Sequence, residues 1–460
     1  MPALIARVRA RGRRLAPLLL LLAVAAVAAC SGYAGKVARL RTDLAAGNPA
    51  AALGALDKLY DADTRSLPYL MEKGMLQYLT EDYDGCQVSL AAADQVVDEL
   101  YTRSLSREVG RLLLNDTVQE YRGERFEQVW IHYYRALAYL DAGQTHDAAV
   151  EGRAATQALT RHADTGDDAA KYRNDPFLQY VAGLLYEMDG ELNDAWINYR
   201  EAERLYRAVD IYGVPAPPRS LIEDLLDAGH RLGFDEEVAS YREAYPDVEP
   251  RAVGPDEGEL VILVDTGLAP GKVSERIDFP IYEDANGDEE AAWTVATHAY
   301  DTWHVEGRKQ KLAYILSIAL PAVPPSGPPP RLSWTADGAA GTLDLGADLG
   351  ALSRQCLEDR YGAVVIRTVA RALLKYWAKK KMEEKHGEGA GFLTDILGSV
   401  TEVADTRSWS TLPAHVSVTR VALPAGEHRV ELRGGRGVGD GQAVVDIVPG
   451  RLHFLALRLY

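Results

Sequence analysis

Two segments of the sequence contain residue types whose context could support chemistry. Cys30 ends an apolar run and follows two alanines, so its thiol is a candidate for covalent modification. Asp265 ends a second apolar run and precedes Thr266 and Gly267, a context that would suit one carboxylate of a proton-sharing pair. The ten histidines show no paired metal-ligand spacing, and neither HExxH nor GxSxG occurs. We therefore expect no metal and no cofactor.

The first 29 residues are typical of an export signal rather than of a folded domain. A basic start precedes an uncharged apolar run, from Leu15 to Ala29, that contains six leucines. This run is shorter than the roughly 20 apolar residues that a membrane span needs, and it ends in small residues, as a cleavage site does. The basic residues are Arg7, Arg9, Arg11, Arg13 and Arg14. We interpret residues 1–29 as a signal peptide.

The four residues from Val27 to Cys30 resemble the lipobox of bacterial lipoproteins, with Val27 in place of the commoner leucine. The resemblance implies that the Cys30 thiol receives a diacylglyceryl group, that the signal is cut before it, and that the new amine is acylated, for example with palmitate. Ser31 stands where an aspartate would mean retention in the inner membrane, so the resemblance implies the outer membrane, with the protein facing the periplasm. The alternative is an ordinary signal peptide followed by a chance cysteine.

The chain is acidic, and removing the signal makes it more so. The formal charge of −17 becomes −22, because residues 1–29 carry five arginines and no acid. Such a surface repels phosphate backbones and anionic headgroups, so we expect no nucleic-acid binding, and lipid on Cys30 must supply the membrane affinity. No later apolar stretch approaches membrane-spanning length. Cys86 and Cys356 could pair in an oxidising periplasm, or each could be a lone buried thiol.

Residues 30–247 carry an internal repeat of helical character. The clearest unit spans residues 175–206, where Gly183, Gly190, Ala195 and Ala202 fall at the spacing of a tetratricopeptide repeat. Small residues at such positions let two helices approach closely. A partial unit near Leu40 precedes Gly74 by 34 residues, the usual repeat length, whereas later steps are longer. The alternative is a plain helical bundle with chance small residues.

If the repeats are real, the helices stack into a solenoid with a concave face. Residues three before each small packing residue would point to that face, and they are Met71, Tyr133 and Tyr180. We predict these side chains as anchors for a protein partner, with ordinary helix packing as the alternative.

A family resemblance covers most of the mature chain. The block YRGERFEQVWIHYYRALAYLDAGQTHDAAVEGRAA, residues 121–155, resembles an uncharacterised bacterial lipoprotein family with tetratricopeptide-like helices. The resemblance extends through VDTGLAPGKVSERIDFPI and RSWSTLPAHVSVTRVALPAGEHRVEL in the second half. That family has no established catalytic residues, so the resemblance supports architecture rather than mechanism.

Residues 248–460 change in character after an acidic, proline-containing stretch. Short runs rich in Val, Ile and Leu, bounded by Gly, Pro and Asp, predict an antiparallel β-sandwich-like domain. A helical insertion is predicted near residues 354–385, with Val365, Val369 and Leu373 at helical spacing and lysines towards its end. That basic end could meet a membrane or an acidic partner, or the helix could simply cover the sheet.

The segment Asp265-Thr266-Gly267 also resembles the catalytic motif of aspartic proteases. Such an enzyme needs a second carboxylate, and Leu268 stands where these enzymes usually carry Ala or Ser. The adjacent GLAPGK run, residues 267–272, is one residue too short for a phosphate-binding loop. For both the protease-like motif and the GLAPGK run, the competing interpretation is a strand that ends in a turn.

Taken together, the sequence predicts an α+β protein: a tetratricopeptide-like helical solenoid followed by a β-sandwich-like domain with a helical insertion. The favoured function is a non-catalytic, membrane-anchored scaffold or adaptor that binds a protein partner in the cell envelope, around peptidoglycan or envelope assembly. The alternative is an envelope hydrolase of the aspartic-protease type that uses Asp265.

Overall fold

The computed structural model describes residues 33–60, 65–104, 120–163, 175–208, 212, 216–282, 312–386, 404–435 and 437–460. Ten helices come first within these residues, and nine strands and an eleventh helix follow, so the chain is α+β. The helices are α1 (Tyr33–Ala45), α2 (Pro49–Leu59), α3 (Leu67–Leu79), α4 (Tyr83–Ser104), α5 (Arg125–Asp141), α6 (Thr145–Ala163), α7 (Pro176–Met188), α8 (Leu192–Ala208), α9 (Arg219–Leu232), α10 (Asp235–Ala244) and α11 (Leu349–His386). The strands are β1 (Glu257–Thr266), β2 (Val273–Tyr282), β3 (Leu312–Ala322), β4 (Leu332–Ala336), β5 (Ala339–Asp348), β6 (His415–Pro424), β7 (Gly426–Arg433), β8 (Gly441–Ile447) and β9 (Leu452–Leu459).

The first ten helices form five hairpins that share one kind of turn. In each turn one residue adopts the left-handed conformation, with φ between 63° and 87°. The N–H of the next residue donates to the carbonyl five residues earlier, at 2.8–3.0 Å, which is the Schellman arrangement that ends a helix. The left-handed residues are Gly47, Glu81, Gly143, Gly190 and Gly233. Glycine suits four of these turns because it lacks a Cβ, whereas Glu81 adopts the same conformation at a steric cost.

Successive hairpins pack side by side, and in the second, third and fourth hairpins the first helix lies deepest. In α3 nearly every residue from Leu67 to Tyr78 is buried, and α5 and α7 are buried over most of their length. Gly183 on α7 permits the close approach of α8, since a Cβ there would stand 2.5 Å from the Tyr199 ring. A helix that is buried all round must be covered on both sides. The second helices of the hairpins cover one side of α3, α5 and α7, and the sheet covers the other.

The sheet has seven strands in the order β8-β7-β4-β5-β6-β1-β9. Neighbouring strands are antiparallel except β1 and β9, which run parallel. The two edges approach each other, because the Gly439 N–H donates to the Tyr460 carbonyl at 2.7 Å. A Cβ on Gly441 would likewise stand 2.6 Å from the Leu459 side chain. The predicted sandwich of two sheets is therefore wrong: one sheet curls until it nearly closes.

Strand β1 is buried on both faces, which explains its nearly continuous apolar run. Side chains alternate along a strand, so Leu260, Ile262 and Val264 point into the curled sheet while Val261 and Leu263 point towards the helices. The helix-facing residues belong to one hydrophobic core that extends from Leu40 on α1 to Val418 on β6. The predicted boundary at residue 248 lies between α10 and β1, but the two halves share this core.

The predicted helical insertion is α11, and it lies against a second, two-stranded sheet formed by β2 and β3. Val365, Val369 and Leu373 are buried there with Ile318 and Leu320 of β3. The described side chains of α11 therefore cover the two-stranded sheet. The lysine side chains predicted to form its basic end lie outside the described part of the structure. Across the described residues, no helix is both long and apolar enough to cross a membrane.

The shared turn makes a stability prediction. Replacing Gly190 with Ala should lower the free energy of unfolding by about 1 kcal/mol, because alanine pays the steric cost of the left-handed conformation. Nothing lies within 4 Å of the position that the new Cβ would take, so packing adds no further penalty. The matched change Glu81→Gly should leave stability unchanged or increase it. Urea unfolding of both variants is the measurement. A Gly190→Ala variant with the same free energy of unfolding as the wild type would contradict this prediction.

Candidate functional site at the helix–sheet interface

Several deeply buried charged residues of the described chain lie where the helices meet the sheet. We call the side of α3, α5 and α7 that contacts the sheet the inner face. Each of these helices carries a buried carboxylate at this interface: Glu72 on α3, Glu127 on α5 and Glu187 on α7. A buried carboxylate is costly unless hydrogen bonds or opposite charges compensate it. The partners of these three groups therefore indicate what the interface does.

Glu72 binds the segment that precedes β6. Its two carboxylate oxygens accept hydrogen bonds from the Ser410 N–H at 2.7 Å, the Thr411 N–H at 3.2 Å and the Thr411 hydroxyl at 2.6 Å. The Tyr33 hydroxyl donates a further bond, at 2.9 Å. Burial raises the pKa of Glu72 above its usual value, although the donors from Thr411 and Ser410 act in the opposite direction. The carboxylate pins α3 to this segment.

Glu127 likewise binds α5 to the segment that precedes β6. Its Oε1 accepts from the Trp409 N–H at 2.7 Å, and its Oε2 accepts from the Tyr121 hydroxyl at 2.7 Å and from the Glu124 N–H at 2.9 Å. The last bond belongs to a capping box that begins α5. Burial raises the pKa of Glu127 to about 7, against the attraction of nearby Lys272.

The side chain of Glu124 lies beside Glu127 and binds two cations. It forms ion pairs with Lys272, which follows β1, and with Arg360 of α11. Lys272 is 3% exposed and also donates to the Arg407 carbonyl at 3.1 Å. The lysine of the rejected phosphate-loop pattern is therefore a structural cation.

The most extensive ionic cluster surrounds Arg420 of β6. Its guanidinium donates two parallel hydrogen bonds to Glu187, at 2.8 and 3.0 Å, and two to Glu259, at 2.9 and 2.6 Å. Asp224 of α9 lies 3.2 Å away and is shared with Arg251. Burial acts to raise the pKa of Glu187, but the charge and hydrogen bonds of Arg420, together with the Tyr199 hydrogen bond and the charge of Arg231, lower that pKa to about 2. The bidentate geometry links α7 rigidly to β6 and β1.

Asp265 lies on the helix-facing side of β1, and it too is bound by a helix. The Tyr134 hydroxyl of α5 donates to its Oδ2 at 2.7 Å. Burial raises the pKa of Asp265 to about 6, and the charge of Arg458 and the Tyr134 hydrogen bond reduce the shift. Asp265 is 5% exposed, so in this structure it holds α5 to the sheet rather than facing a substrate. Nothing in its described surroundings favours the aspartic-protease alternative.

The three side chains predicted as partner anchors are buried, so in this structure none of them forms an exposed surface. Met71, Tyr133 and Tyr180 are 0%, 2% and 0% exposed. Tyr133 packs against the Trp130 ring with centroids 4.9 Å apart, and the Tyr180 hydroxyl donates to Asp224 at 2.7 Å. These contacts are with residues of the chain's own helices, which is the helix-packing alternative that the sequence left open.

The cysteines divide into two groups. Cys30 lies outside the described residues. Cys86 on α4 and Cys356 on α11 are both buried free thiols, and burial raises the pKa of Cys86 to about 12. Neither has the lowered pKa of a reactive thiol.

An open cleft of about 640 Å³ lies at the edge of the interface. One side of α1 forms one wall along the whole helix, and the segment from Leu268 to Val273 forms another. Arg41 lines this cleft, and its guanidinium donates to the carbonyls of Ser410 and Ala269. The charges at the cleft are thus already engaged within the chain.

The interface residues were not foreseen as a site from the sequence. Glu72 sits inside the apolar run LPYLMEKGMLQYL, and Arg420 sits inside VSVTRVAL, so a charge within an apolar pattern is the available signal. Chemically, these groups bind donors and cations of their own chain. Within the described ranges, no group of three or more His, Cys, Asp or Glu residues could hold a metal ion.

A comparison with known protein-family models gives no match, and a comparison with curated protein sequences gives none either.

The raised pKa of Asp265 predicts a pH dependence. Because the pKa rises from 3.8 to about 6 on folding, the folded chain binds this proton more tightly than the unfolded chain does. The stabilising contribution is complete below pH 3.8 and is lost as the pH rises through about 6. Relative to Asp265→Asn, wild-type stability should fall by about 3 kcal/mol across this window, at about 1.4 kcal/mol per pKa unit. Urea unfolding at several pH values measures the difference in stability between the wild type and Asp265→Asn. A difference that does not change with pH would contradict the raised pKa of Asp265.

Proposed function

We propose that the mature chain is a non-catalytic adaptor of the bacterial cell envelope, anchored in the outer membrane through lipid on Cys30 and facing the periplasm. Its helical half would bind a protein partner, and the lipid would hold the complex at the membrane. The basic start, the short apolar run and the small residues before Cys30 support the anchor.

The observation that carries the adaptor proposal is the fivefold repetition of one helix–turn–helix hairpin. Stacked hairpins expose an extended surface along the array, and proteins built in this way commonly bind other proteins. We propose that the array is a tetratricopeptide-like solenoid. The recurring turn and the small residues Ala148 and Ala195, buried at equivalent places on α6 and α8, support that interpretation.

Because the sheet of the same chain covers the inner face, the proposal can be more specific about where a partner binds. A solenoid whose concave side is filled by its own chain has only its outer side and its ends for partners. The buried ion pairs and hydrogen bonds across the interface would keep the array in one shape, so that a partner meets a preorganised surface. A role in envelope or peptidoglycan assembly is the setting that we infer from the anchor.

The anchor has a direct test. In cells that express the chain, radiolabelled palmitate should enter the wild-type protein, and the mature chain should begin at Cys30. Cys30→Ala should lose the label and leave the membrane fraction, whereas the matched control Cys86→Ala should keep both properties, since Cys86 is a buried thiol. Unchanged labelling of Cys30→Ala would exclude the anchor.

The adaptor role needs a second measurement in the same cells. Chemical cross-linking followed by purification of the membrane-bound wild-type chain should recover one protein in near-stoichiometric amount. Cys30→Ala should recover much less of that protein, because the two would no longer share a membrane. A wild-type chain that brings down no stoichiometric partner would contradict the proposal.

A further inference from the structure

Three large apolar side chains are exposed at the same position of three successive hairpins. Each lies seven residues after the left-handed residue of its turn, and two residues after a fully buried small residue. They are Val88 on α4, Val150 on α6 and Ile197 on α8, with 72%, 44% and 49% of their surface exposed. We call them the outer ladder. The hairpins that carry these residues pack side by side, so the ladder runs across the three helices.

This placement differs from the scattered exposure that any protein surface shows. A single exposed valine needs no explanation, but repetition at an equivalent position does. Valine and isoleucine are also mediocre helix formers, because a β-branched side chain loses rotamer freedom against the preceding turn. Helix stability therefore does not account for them. Ala91 and Ala154, one turn further along α4 and α6, extend the apolar surface.

A row of acidic residues accompanies the ladder. Asp84, Asp147 and Asp194 lie in the first turns of the same helices and are exposed. These aspartates complement the helix dipoles, and they also place a line of negative charge about one helical turn, roughly 5 Å, from the apolar line. A segment that crosses the three helices would meet both lines on one of its faces.

We propose that the outer ladder binds a basic, amphipathic segment of a protein partner. The partner's apolar side chains would cover Val88, Val150 and Ile197, and its lysines or arginines would face the aspartate row. The proposal rests on the adaptor function and names the surface that the adaptor uses. The outer side is the side left for it, because the sheet of the same chain fills the inner face.

The test uses the full mature chain with Cys30→Ala, which needs neither detergent nor lipid. Its probe is a fluorescent 18-residue helical peptide of leucine and lysine, with a leucine–glutamate peptide of the same pattern for comparison. Anisotropy should show binding of the leucine–lysine peptide at least about tenfold tighter than binding of the leucine–glutamate peptide, which corresponds to about 1.4 kcal/mol. Absence of binding by the leucine–lysine peptide would overturn the proposal.

Two sets of substitutions locate the binding. The triple change Val88→Ser, Val150→Ser and Ile197→Ser should weaken binding of the leucine–lysine peptide by about tenfold or more. Its matched control changes three exposed valines elsewhere, Val253, Val444 and Val448, to serine and should alter binding less than about twofold. Equal losses in both triple variants would overturn the proposal. Circular dichroism confirms that each variant is folded.

A third variant separates charge from apolar contact. Changing Asp84, Asp147 and Asp194 to asparagine should weaken binding and reduce its dependence on salt, because exposed charges are screened. Unchanged salt dependence would overturn the role of the aspartate row.

Other occupants of the ladder have their own signatures. If the serine triple variant instead changes the sedimentation of the free chain, the ladder joins two copies of this protein. If it abolishes binding to vesicles of phosphatidylglycerol, the ladder meets a membrane. Either result would overturn the proposal. Failure of palmitate labelling would remove the anchor yet leave these peptide measurements intact, so the two proposals fail separately.

Discussion

Carboxylates that leave water must find donors or cations, and this requirement shapes the interface between the helices and the sheet. Packing against the sheet removes Glu72, Glu127 and Glu187 from water, so each carboxylate must be compensated within the folded chain. In the folded chain, backbone N–H groups before β6 and the Arg420 guanidinium satisfy all three. The helices and the sheet are therefore parts of one folding unit, although the sequence changes character between them.

The same requirement explains the surroundings of Asp265, the candidate catalytic residue of the sequence. Asp265 lies on a strand that is buried on both sides, and Tyr134 is its donor. A carboxylate in this position serves packing: it gives α5 a fixed place against β1. The inner face of the helices is likewise covered by β1, β6 and β9.

The sequence predicted the local elements well because local rules determine them. Helical periodicity located the hairpins. Gly190 marked a turn, because a residue without a Cβ adopts the left-handed conformation at no steric cost. Val365, Val369 and Leu373 marked the buried side of α11. Glu81, by contrast, occupies an equivalent turn without the glycine that would have revealed it.

Longer-range features escaped prediction for a physical reason. Whether two edges of a sheet meet depends on pairings such as β1 with β9, which join residues almost 200 positions apart, and no short pattern encodes them. In a sequence, an aromatic residue on one face of a helix looks the same whether a partner or the chain's own residues cover it. Tyr133 and Tyr180 are buried by residues of their own chain.

Because helices and sheet share a buried interface, we expect them to unfold as one cooperative unit. Hydrogen–deuterium exchange of the full mature chain across a urea series measures this. Peptides from α3, α5 and α7 should lose protection at the same urea concentration as peptides from β1, β6 and β9. Helical peptides that stay protected after the strands have exchanged would contradict it.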